Sequence, residues 1–158
     1  MSRHDRKFMR RAIALSLKNA AGTDGGPFGA VVVKGGRVVG TGSNNVTASR
    51  DPTAHAEIVA IRAACRKLKT HDLGGAVIYT SCEPCPMCLA AILWARIDRM
   101  VYGNTRADAA AVDFDDAWFY KQVSLPVHRR ALPAKRLLGL EAQRAFRVWS
   151  RNPRRVPY

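Results

Sequence analysis

The sequence predicts an α/β fold in which helices cover both faces of a central mixed sheet. Two observations lead to this prediction: segments with helical spacing alternate with short β-branched runs, and two of those runs are joined by a glycine turn. A strand, a helix and a further strand follow, and strands connected in this way are parallel and buried. With 158 residues, 47% of them apolar, the chain is long enough to bury the core of one domain.

The N-terminal half predicts a helix, a hairpin and a second helix. Residues 5–20 carry apolar side chains at helical spacing, and Gly22 ends this segment. The stretch PFGAVVVKGGRVVGTGSNN predicts two strands joined at Lys34-Gly35-Gly36. Residues 54–67 are rich in alanine, contain no helix breaker and follow a sequence, Asp51-Pro52-Thr53, that caps helices.

The remainder of the chain alternates strands and helices before it becomes helical. The predicted elements are a strand at 76–81, a helix at 86–95, a short buried strand at 99–103, and helices around 115–121 and 140–149. Neither an internal repeat nor a linker is visible, so we expect residues 1–158 to form a single domain.

Basic residues are concentrated at the two ends of the chain. Lys and Arg number 26 against 12 Asp and Glu, which gives a net charge of +14. Residues 1–11 contribute +4 and residues 121–158 contribute +9, whereas the long middle segment contributes only +1. Such an excess attracts polyanions, so RNA binding stays open, although no RGG repeat accompanies it. The alternative is a solvated arginine-rich surface.

No segment of the sequence predicts a membrane anchor or a secretion signal. The longest apolar run, at residues 89–95, is far shorter than the roughly 20 residues of a membrane-spanning helix. Lys18 and Asn19 interrupt the apolar stretch near the N-terminus. Three of the four cysteines lie within seven residues, which in a reducing compartment indicates metal or redox chemistry. We therefore expect a cytoplasmic location.

Two short motifs place metal-binding side chains at the starts of two predicted helices. His55-Ala56-Glu57 opens the second helix, and Pro84-Cys85-Pro86-Met87-Cys88 opens the helix after the third strand. Thiolates three residues apart in a first turn point to one side, where the helix dipole lowers their pKa. His55, Cys85 and Cys88 together give zinc three protein ligands, and catalytic zinc keeps its fourth position for water.

Glu57 is the predicted proton shuttle of this site. It lies two residues from His55, too close to be a fourth ligand but well placed beside the bound water. The pairing of H-x-E with P-C-x-x-C is the signature of zinc-dependent nucleobase deaminases. Zinc lowers the pKa of its water, and Glu57 moves that proton to the ring nitrogen and then to the departing amine. The competing interpretations are a redox C-x-x-C pair and an ordinary buried thiol pair.

Cys82 also forms a C-x-x-C pair with Cys85, so its role has to be decided. It falls at the end of a predicted strand, and we expect a small core or pocket residue. With Cys82 as a fourth ligand, the chain would instead be a non-catalytic binding module stabilised by zinc.

Beyond these motifs, the sequence resembles the cytidine deaminase superfamily and, within it, the small bacterial guanine deaminases. The resemblance runs over nearly the whole chain and is carried by GGPFGAVVVK, NNVTASRDPTAHAEI, YTSCEPCPMC, WAR, FDD and a terminal tyrosine. It implies a three-layer α/β/α domain with a central mixed five-stranded sheet and one Zn²⁺ per subunit. The implied reaction is hydrolysis of guanine at C2 to xanthine and ammonia, in purine salvage and nitrogen recovery.

The resemblance also implies which residues bind the base. Asn44 would hydrogen-bond the base edge, and Asp116 would accept from ring or amino N–H groups. The residues implied as pocket walls are Phe28, Ala56, Trp94 and Phe114. The alternatives are a turn role for Asn44, helix capping by Asp113, Asp115 or Asp116, and a core role for the aromatic residues.

The terminal Tyr158 is implied to act in a partner subunit. In similar guanine deaminases the C-terminal segment, here residues 140–158, crosses to the neighbour in a swapped homodimer and brings its tyrosine to the neighbour's site. That arrangement would explain the arginines of the tail without RNA.

Other substrate classes stay open. DPTAHAE is shared with tRNA adenosine deaminases, but those enzymes typically carry Val-Thr-Leu where this chain has Thr80-Ser81-Cys82, and they lack the FDD segment. Relatives with the same scaffold accept guanosine, cytosine-like pyrimidines or amino-triazines. A small nucleobase is therefore the favoured substrate, nucleic acid is a less favoured partner, and no membrane partner is expected.

Overall fold

Seven α-helices and four strands make up the part of the chain that this computed structural model describes, residues 3–158. In chain order they are α1 (Arg3–Ala20), β1 (Gly29–Lys34), β2 (Arg37–Ser43), α2 (Val46–Ser49), α3 (Ala56–Leu68), β3 (Ala76–Cys82), α4 (Pro86–Trp94), β4 (Arg99–Asn104), α5 (Arg106–Ala110), α6 (Ala117–Ser124) and α7 (Gly139–Arg151). A 3-10 turn, Val127–Arg129, lies between α6 and α7. None of the described helices is both long enough and apolar enough to cross a membrane.

The four strands form one sheet in the order β2-β1-β3-β4. β1 pairs antiparallel with β2 and β3, whereas β3 and β4 are parallel, so the predicted mixed sheet is confirmed. The predicted count of five strands is wrong for the described residues. After β4, Thr105 Oγ1 accepts from Asp108 N and the Asp108 carboxylate accepts from Thr105 N. This capping box turns the chain into α5 instead of a fifth strand.

Apolar side chains alternate along the central strands and face two helical layers. Val32 and Ile78 belong to the core that also contains the alanines of α3 and Ile92 of α4. Val31 and Tyr79 point to the other face and pack with Phe8 of α1. Full burial of one such aliphatic side chain contributes about 1.5–3 kcal/mol. The predicted three-layer arrangement is therefore confirmed.

β4 is a partly exposed edge strand, and its predicted burial is wrong. Because it has a neighbour on one side only, Arg99 and Tyr102 remain exposed. Asp5 of α1 fixes this edge, since its buried carboxylate accepts hydrogen bonds of 2.7 Å from the Tyr79 hydroxyl and from the Arg99 guanidinium. Burial raises the pKa of Tyr79 to about 12, which keeps the phenol protonated as a donor.

The backbone of β2 lies directly against α3. A Cβ added to Gly42 would lie 2.6 Å from Ala60 N and closer still to the carbonyl oxygen of Ala56. Gly40 meets the next turn of the same helix in the same way. The missing side chains therefore set the distance between α3 and the sheet, and with it the position of the residues that begin the helix.

Gly42→Ala is expected to lower the thermal midpoint, because the new methyl group forces the first turns of α3 away from the sheet. Overpacking of this kind costs about 1–3 kcal/mol or more. Differential scanning calorimetry measures the change. The matched control is Gly22→Ala, where a Cβ has its nearest neighbour at 3.6 Å and the midpoint should hardly move. Equal midpoints for the two variants would contradict this account of the packing.

Candidate functional site

His55, Cys85 and Cys88 meet where two helices begin. His55 is the N-cap residue of α3, Cys85 is the N-cap residue of α4, and Cys88 lies in the first turn of α4. His55 Nδ1 is 3.6 Å from Cys85 Sγ and 3.5 Å from Cys88 Sγ. The structure thus brings together the three ligands that the two sequence motifs indicate.

The spacing of these three atoms suits zinc. At bond lengths of about 2.05 Å to nitrogen and about 2.3 Å to sulfur, tetrahedral angles place the ligand atoms about 3.6 Å apart. All three atoms lie within 4.8 Å of one another, and within residues 3–158 no further His, Cys, Asp or Glu joins the group. Three protein ligands with the fourth position left open is the arrangement typical of a catalytic zinc.

The thiols of Cys85 and Cys88 have pKa values shifted in opposite directions. The hydrogen bond from Cys88, with a smaller contribution from His55, lowers the pKa of Cys85 to about 4 against the opposing effect of burial. The same pairing, together with burial, raises the pKa of Cys88. Cys85 is therefore a thiolate at neutral pH, and binding a metal ion through both sulfurs requires the release of the Cys88 proton.

Cys82 lies apart from this ligand group. Its thiol is buried and approaches the Thr105 carbonyl oxygen at 3.5 Å. Burial raises its pKa to about 11, so it remains a neutral thiol. Cys82 also borders the cleft that leads to the site, in agreement with the expected small core or pocket residue.

Glu57 lies beside the ligands in the first turn of α3. The Cys88 thiol donates to Glu57 Oε2 at 3.4 Å, and the residue is only 8% exposed. Burial raises the pKa of this carboxyl group, opposed by a smaller effect of its hydrogen bond to the backbone. A carboxyl group that holds a proton more readily than an ordinary glutamate suits proton transfer near neutral pH.

An open cleft of about 1080 Å³ leads to His55, Glu57 and Cys85. Phe28 and Phe114 stand at its wall, with ring centroids 4.9 Å apart and planes at 88°. A volume at the upper end of the range of ligand sites leaves ample room for a flat heterocycle.

Asn44 borders the same cleft and is almost fully buried. Its side-chain oxygen accepts from Val46 N at 3.2 Å, which is the local turn role considered from the sequence. Its backbone carbonyl accepts from the Asn19 side chain at 2.9 Å, so the residue is held from two sides. The Asn44 amide nitrogen makes no hydrogen bond to any described residue and is available as a donor.

Asp116 borders the cleft at the start of α6. Its side chain does not cap that helix, because Asp115 Oδ1 accepts from Ala117 N at 2.9 Å. Burial raises the pKa of Asp116, with Arg106 acting in the opposite direction. Asp113 and Asp115 border the cleft as well, but Asp115 accepts a hydrogen bond within its own turn, whereas the Asp116 side chain makes no capping hydrogen bond.

Three of the predicted pocket residues do not border the cleft of their own chain. Ala56 is buried in the core between α3 and the sheet. Trp94 is 61% exposed at the end of α4, and its ring centroid lies 5.9 Å from that of Tyr158. These two rings, with His71, lie around a separate small pocket at the surface.

Arg106 and Glu83 border the cleft as well, and sequence reasoning does not identify them. Arg106 lies 4.3 Å above the ring of Tyr120 and 3.5 Å from Glu83. The Thr105-x-x-Asp108 capping pattern is a local signal for the helix that carries Arg106, but no spacing links it to Glu83.

The sequence matches the family model of the cytidine and deoxycytidylate deaminase zinc-binding region over residues 2–104. The chain belongs to this deaminase family. The matched region contains the three ligands and Glu57, and it ends with β4. The zinc assignment of the ligand group therefore agrees with the family as well as with the geometry.

Relatives within the deaminase family differ in how much of the chain they match. The guanine deaminase of Bacillus subtilis (strain 168) is 46% identical over 142 residues, which cover 90% of this chain and 91% of the relative. The X-ray structure of Bacillus subtilis guanine deaminase superimposes with a TM-score of 0.94 at 42% identity and covers 100% of this chain and 99% of that chain. A tRNA-specific adenosine deaminase of Agrobacterium fabrum is 43% identical over 106 residues, 67% of this chain and 69% of the relative.

Single replacements of the cysteines are expected to distinguish the two zinc ligands from Cys82 by their effect on zinc content. Cys85→Ser and Cys88→Ser should each lose most of the bound zinc, because serine is not deprotonated to replace a thiolate. Cys82→Ser should retain it, because the Cys82 thiol is not part of the ligand group. Elemental analysis of the purified variants by mass spectrometry measures the metal. Loss of zinc from Cys82→Ser with the fold intact by circular dichroism would assign Cys82 to the metal.

Proposed function

We propose that this protein is a zinc-dependent guanine deaminase that hydrolyses guanine to xanthine and ammonia. The observation that carries the proposal is the extent of the likeness to Bacillus subtilis guanine deaminase, which spans 90% of this chain. That likeness includes the segment around Asp116, beyond the residues 2–104 that the whole deaminase family shares. We expect residues that select the base, as opposed to residues that carry out deamination, in that segment.

The chemistry requires one water, one proton shuttle and a leaving amine. His55, Cys85 and Cys88 would hold zinc, which when bound would supply the Lewis acidity that activates the attacking water. Glu57 takes a proton from that water as its oxygen attacks C2, and it delivers the proton to the adjacent ring nitrogen. Glu57 then takes the proton of the new C2 hydroxyl group and transfers it to the amine, so that the C2–N bond breaks, ammonia leaves and the C2 carbonyl of xanthine forms. Glu57 is largely buried at the edge of the cleft, so its carboxyl group can face a bound base with little exposure of its own.

The base is proposed to lie between the aromatic wall and two polar groups. Phe28 and Phe114 present the apolar surface against which a planar base packs. The unpaired Asn44 amide nitrogen suits an acceptor on the base, and the Asp116 carboxylate suits its N–H groups. Guanine carries acceptors and donors on different edges, and it therefore matches this pair.

Glu57→Gln is expected to abolish turnover while leaving the zinc site intact. The amide keeps the size of the side chain but cannot accept and return a proton, and loss of such a group costs about 10²- to 10⁴-fold in rate. Ammonia release from guanine measures turnover, and elemental analysis of the same sample measures zinc. A Glu57→Gln protein with unimpaired turnover would remove the shuttle role.

The deciding experiment is ammonia release by the zinc-loaded protein from guanine, guanosine and cytosine at equal concentration. The proposal predicts that guanine is turned over far faster than the other two. No ammonia release from guanine, with turnover of another base, would be consistent with the roles of the metal site and Glu57. It would overturn the assignment of Asn44 and Asp116 to guanine.

A second candidate function is adenosine deamination in tRNA. It is favoured by the 43% identity to the Agrobacterium fabrum tRNA-specific adenosine deaminase and by the net charge of +14. An anticodon stem-loop bearing adenosine, added to the same assay, tests it. Inosine formation would support this candidate, and absence of both inosine and RNA binding at low salt would dispose of it.

We also propose that the protein works as a homodimer in which residues 140–158 cross to the partner. Each subunit would consist of a single domain spanning residues 1–158 and would bind one Zn²⁺. This C-terminal segment exposes large apolar side chains that a monomer rarely leaves in water, namely Leu140, Phe146, Val148, Trp149, Val156 and Tyr158. The open cleft could accept a segment from a neighbour. Within its own chain Tyr158 lies beside Trp94 and does not border the cleft, so a role for this tyrosine in a site requires the cleft of a neighbour.

Deletion of residues 154–158 is expected to lower turnover without unfolding the core, because these residues lie outside every strand and helix.

Co-expression of this truncated chain with the Glu57→Gln chain gives the sharper result. In a hybrid dimer, the truncated subunit keeps Glu57 and receives an intact tail from its partner. Random pairing should restore about a quarter of the sites. Turnover at background level in the hybrid would show that the tail acts within its own chain or not at all.

The thiols of the site and the purine substrate both suit the cytoplasm. All four cysteines are unpaired, and the Cys85 thiolate needs a reducing compartment to stay free of disulfides. Release of ammonia from guanine at that location would serve purine salvage and nitrogen recovery.

A further inference from the structure

The helix that presents Asp116 has few ties to the rest of the molecule. On α6, the side chains of Trp118, Phe119 and Val123 are each more than half exposed. Tyr120 is the exception, because it is partly buried and its hydroxyl donates to the Pro84 carbonyl oxygen at 2.8 Å. Pro84 is fully buried and directly precedes Cys85. One hydrogen bond therefore joins the Asp116 helix to the loop that carries a metal ligand.

Arg106 strengthens this junction from the neighbouring helix. Its guanidinium lies 4.3 Å from the centroid of the Tyr120 ring, within the range of a cation–π interaction. Its Nε lies 3.5 Å from Glu83 Oε1, and its backbone N–H donates to Glu83 Oε2 at 3.3 Å. Glu83 and Pro84 are thus held by α5 and α6 together, immediately before Cys85.

Asp116 and Tyr120 are one helical turn apart, and Tyr120 N donates to the Asp116 carbonyl oxygen at 3.1 Å. A shift of Tyr120 consequently moves Asp116 with it. Without the Tyr120 hydroxyl, the first turn of α6 would keep its local structure but lose its fixed distance to Cys85. The hydroxyl therefore acts on the geometry of the cleft more than on the stability of the core.

We propose that Tyr120 is a positioning residue that fixes Asp116 relative to the metal-ligand loop and thereby sets the affinity for the base. The inference rests on the proposed role of Asp116 in binding guanine. A purely structural role for Tyr120 would lower stability without changing how the base is held. Positioning through Asp116 makes a narrower prediction, since the effect of Tyr120 must disappear once the Asp116 carboxylate is gone.

Tyr120→Phe removes the hydroxyl and keeps the ring over which Arg106 lies. The expected result is an increase in KM for guanine of about two- to tenfold, the value of one hydrogen bond, with kcat changed by less than about twofold. Zinc content should match that of the wild type, and the thermal midpoint should fall by no more than the loss of one hydrogen bond explains. The control is Tyr102→Phe on β4, whose hydroxyl makes no hydrogen bond to any described residue and whose loss should leave KM unchanged.

The test of coupling is a double-mutant cycle of Tyr120→Phe and Asp116→Asn, measured as the Kd for guanine in zinc-loaded Glu57→Gln protein. Positioning predicts that Tyr120→Phe weakens binding in the presence of Asp116 and has no further effect on the Asp116→Asn variant. Additive effects, or an unchanged Kd in Tyr120→Phe alone, would overturn the inference while leaving Asp116 in its proposed role. An unchanged Kd in Asp116→Asn alone would overturn that role, and with it the inference.

Discussion

The meeting of two helix N-termini is the constraint on which the rest of the site depends. His55 and Cys85 are themselves the cap residues of α3 and α4, so the ligand distances follow directly from where the two helices begin. Helix N-termini also carry partial positive charge, which favours thiolates at this point. The close approach of α3 to Gly42 fixes one of these helices against the sheet. A small displacement of either helix would separate the imidazole from the thiols.

Local patterns in the sequence were sufficient for the hairpin, the crossover and the grouping of the candidate metal ligands. Each depends on residues that are close in the chain, such as Gly35-Gly36 in the turn or Cys85 and Cys88 in one helical turn. The fifth strand and the burial of β4 were wrong because position in a sheet is a tertiary property. The apolar residues of RMVYG look alike in a central strand and in an edge strand. The short helix α2 has only four residues, too few to show a period.

The residues proposed to recognise the base show where sequence reasoning reaches its limit. Asp113, Asp115 and Asp116 are equal candidates for capping in the sequence, and all three border the cleft, so only the hydrogen bond from Ala117 N to Asp115 sets one of them apart. For Asn44, the turn role and a binding role turn out to be compatible, because one side-chain atom serves the turn and the other remains unpaired. The contact between Arg106 and Tyr120 joins residues from two helices and leaves no periodic signal at all.

The strand β4 ends the sheet, and everything after Asn104 lies outside it, in helices and connecting segments. The metal ligands all precede this point, whereas Asp116 and Tyr120 follow it. In the proposed roles, the groups for hydrolysis all lie in the earlier part, whereas the groups that would hold the base are divided between Phe28 and Asn44 before this point and Asp116 after it. The contacts that the later part makes can therefore change while the residues that would hold zinc stay in place. The two relatives differ in this respect, since the guanine deaminase matches 90% of this chain and the tRNA-specific adenosine deaminase matches 67% of it.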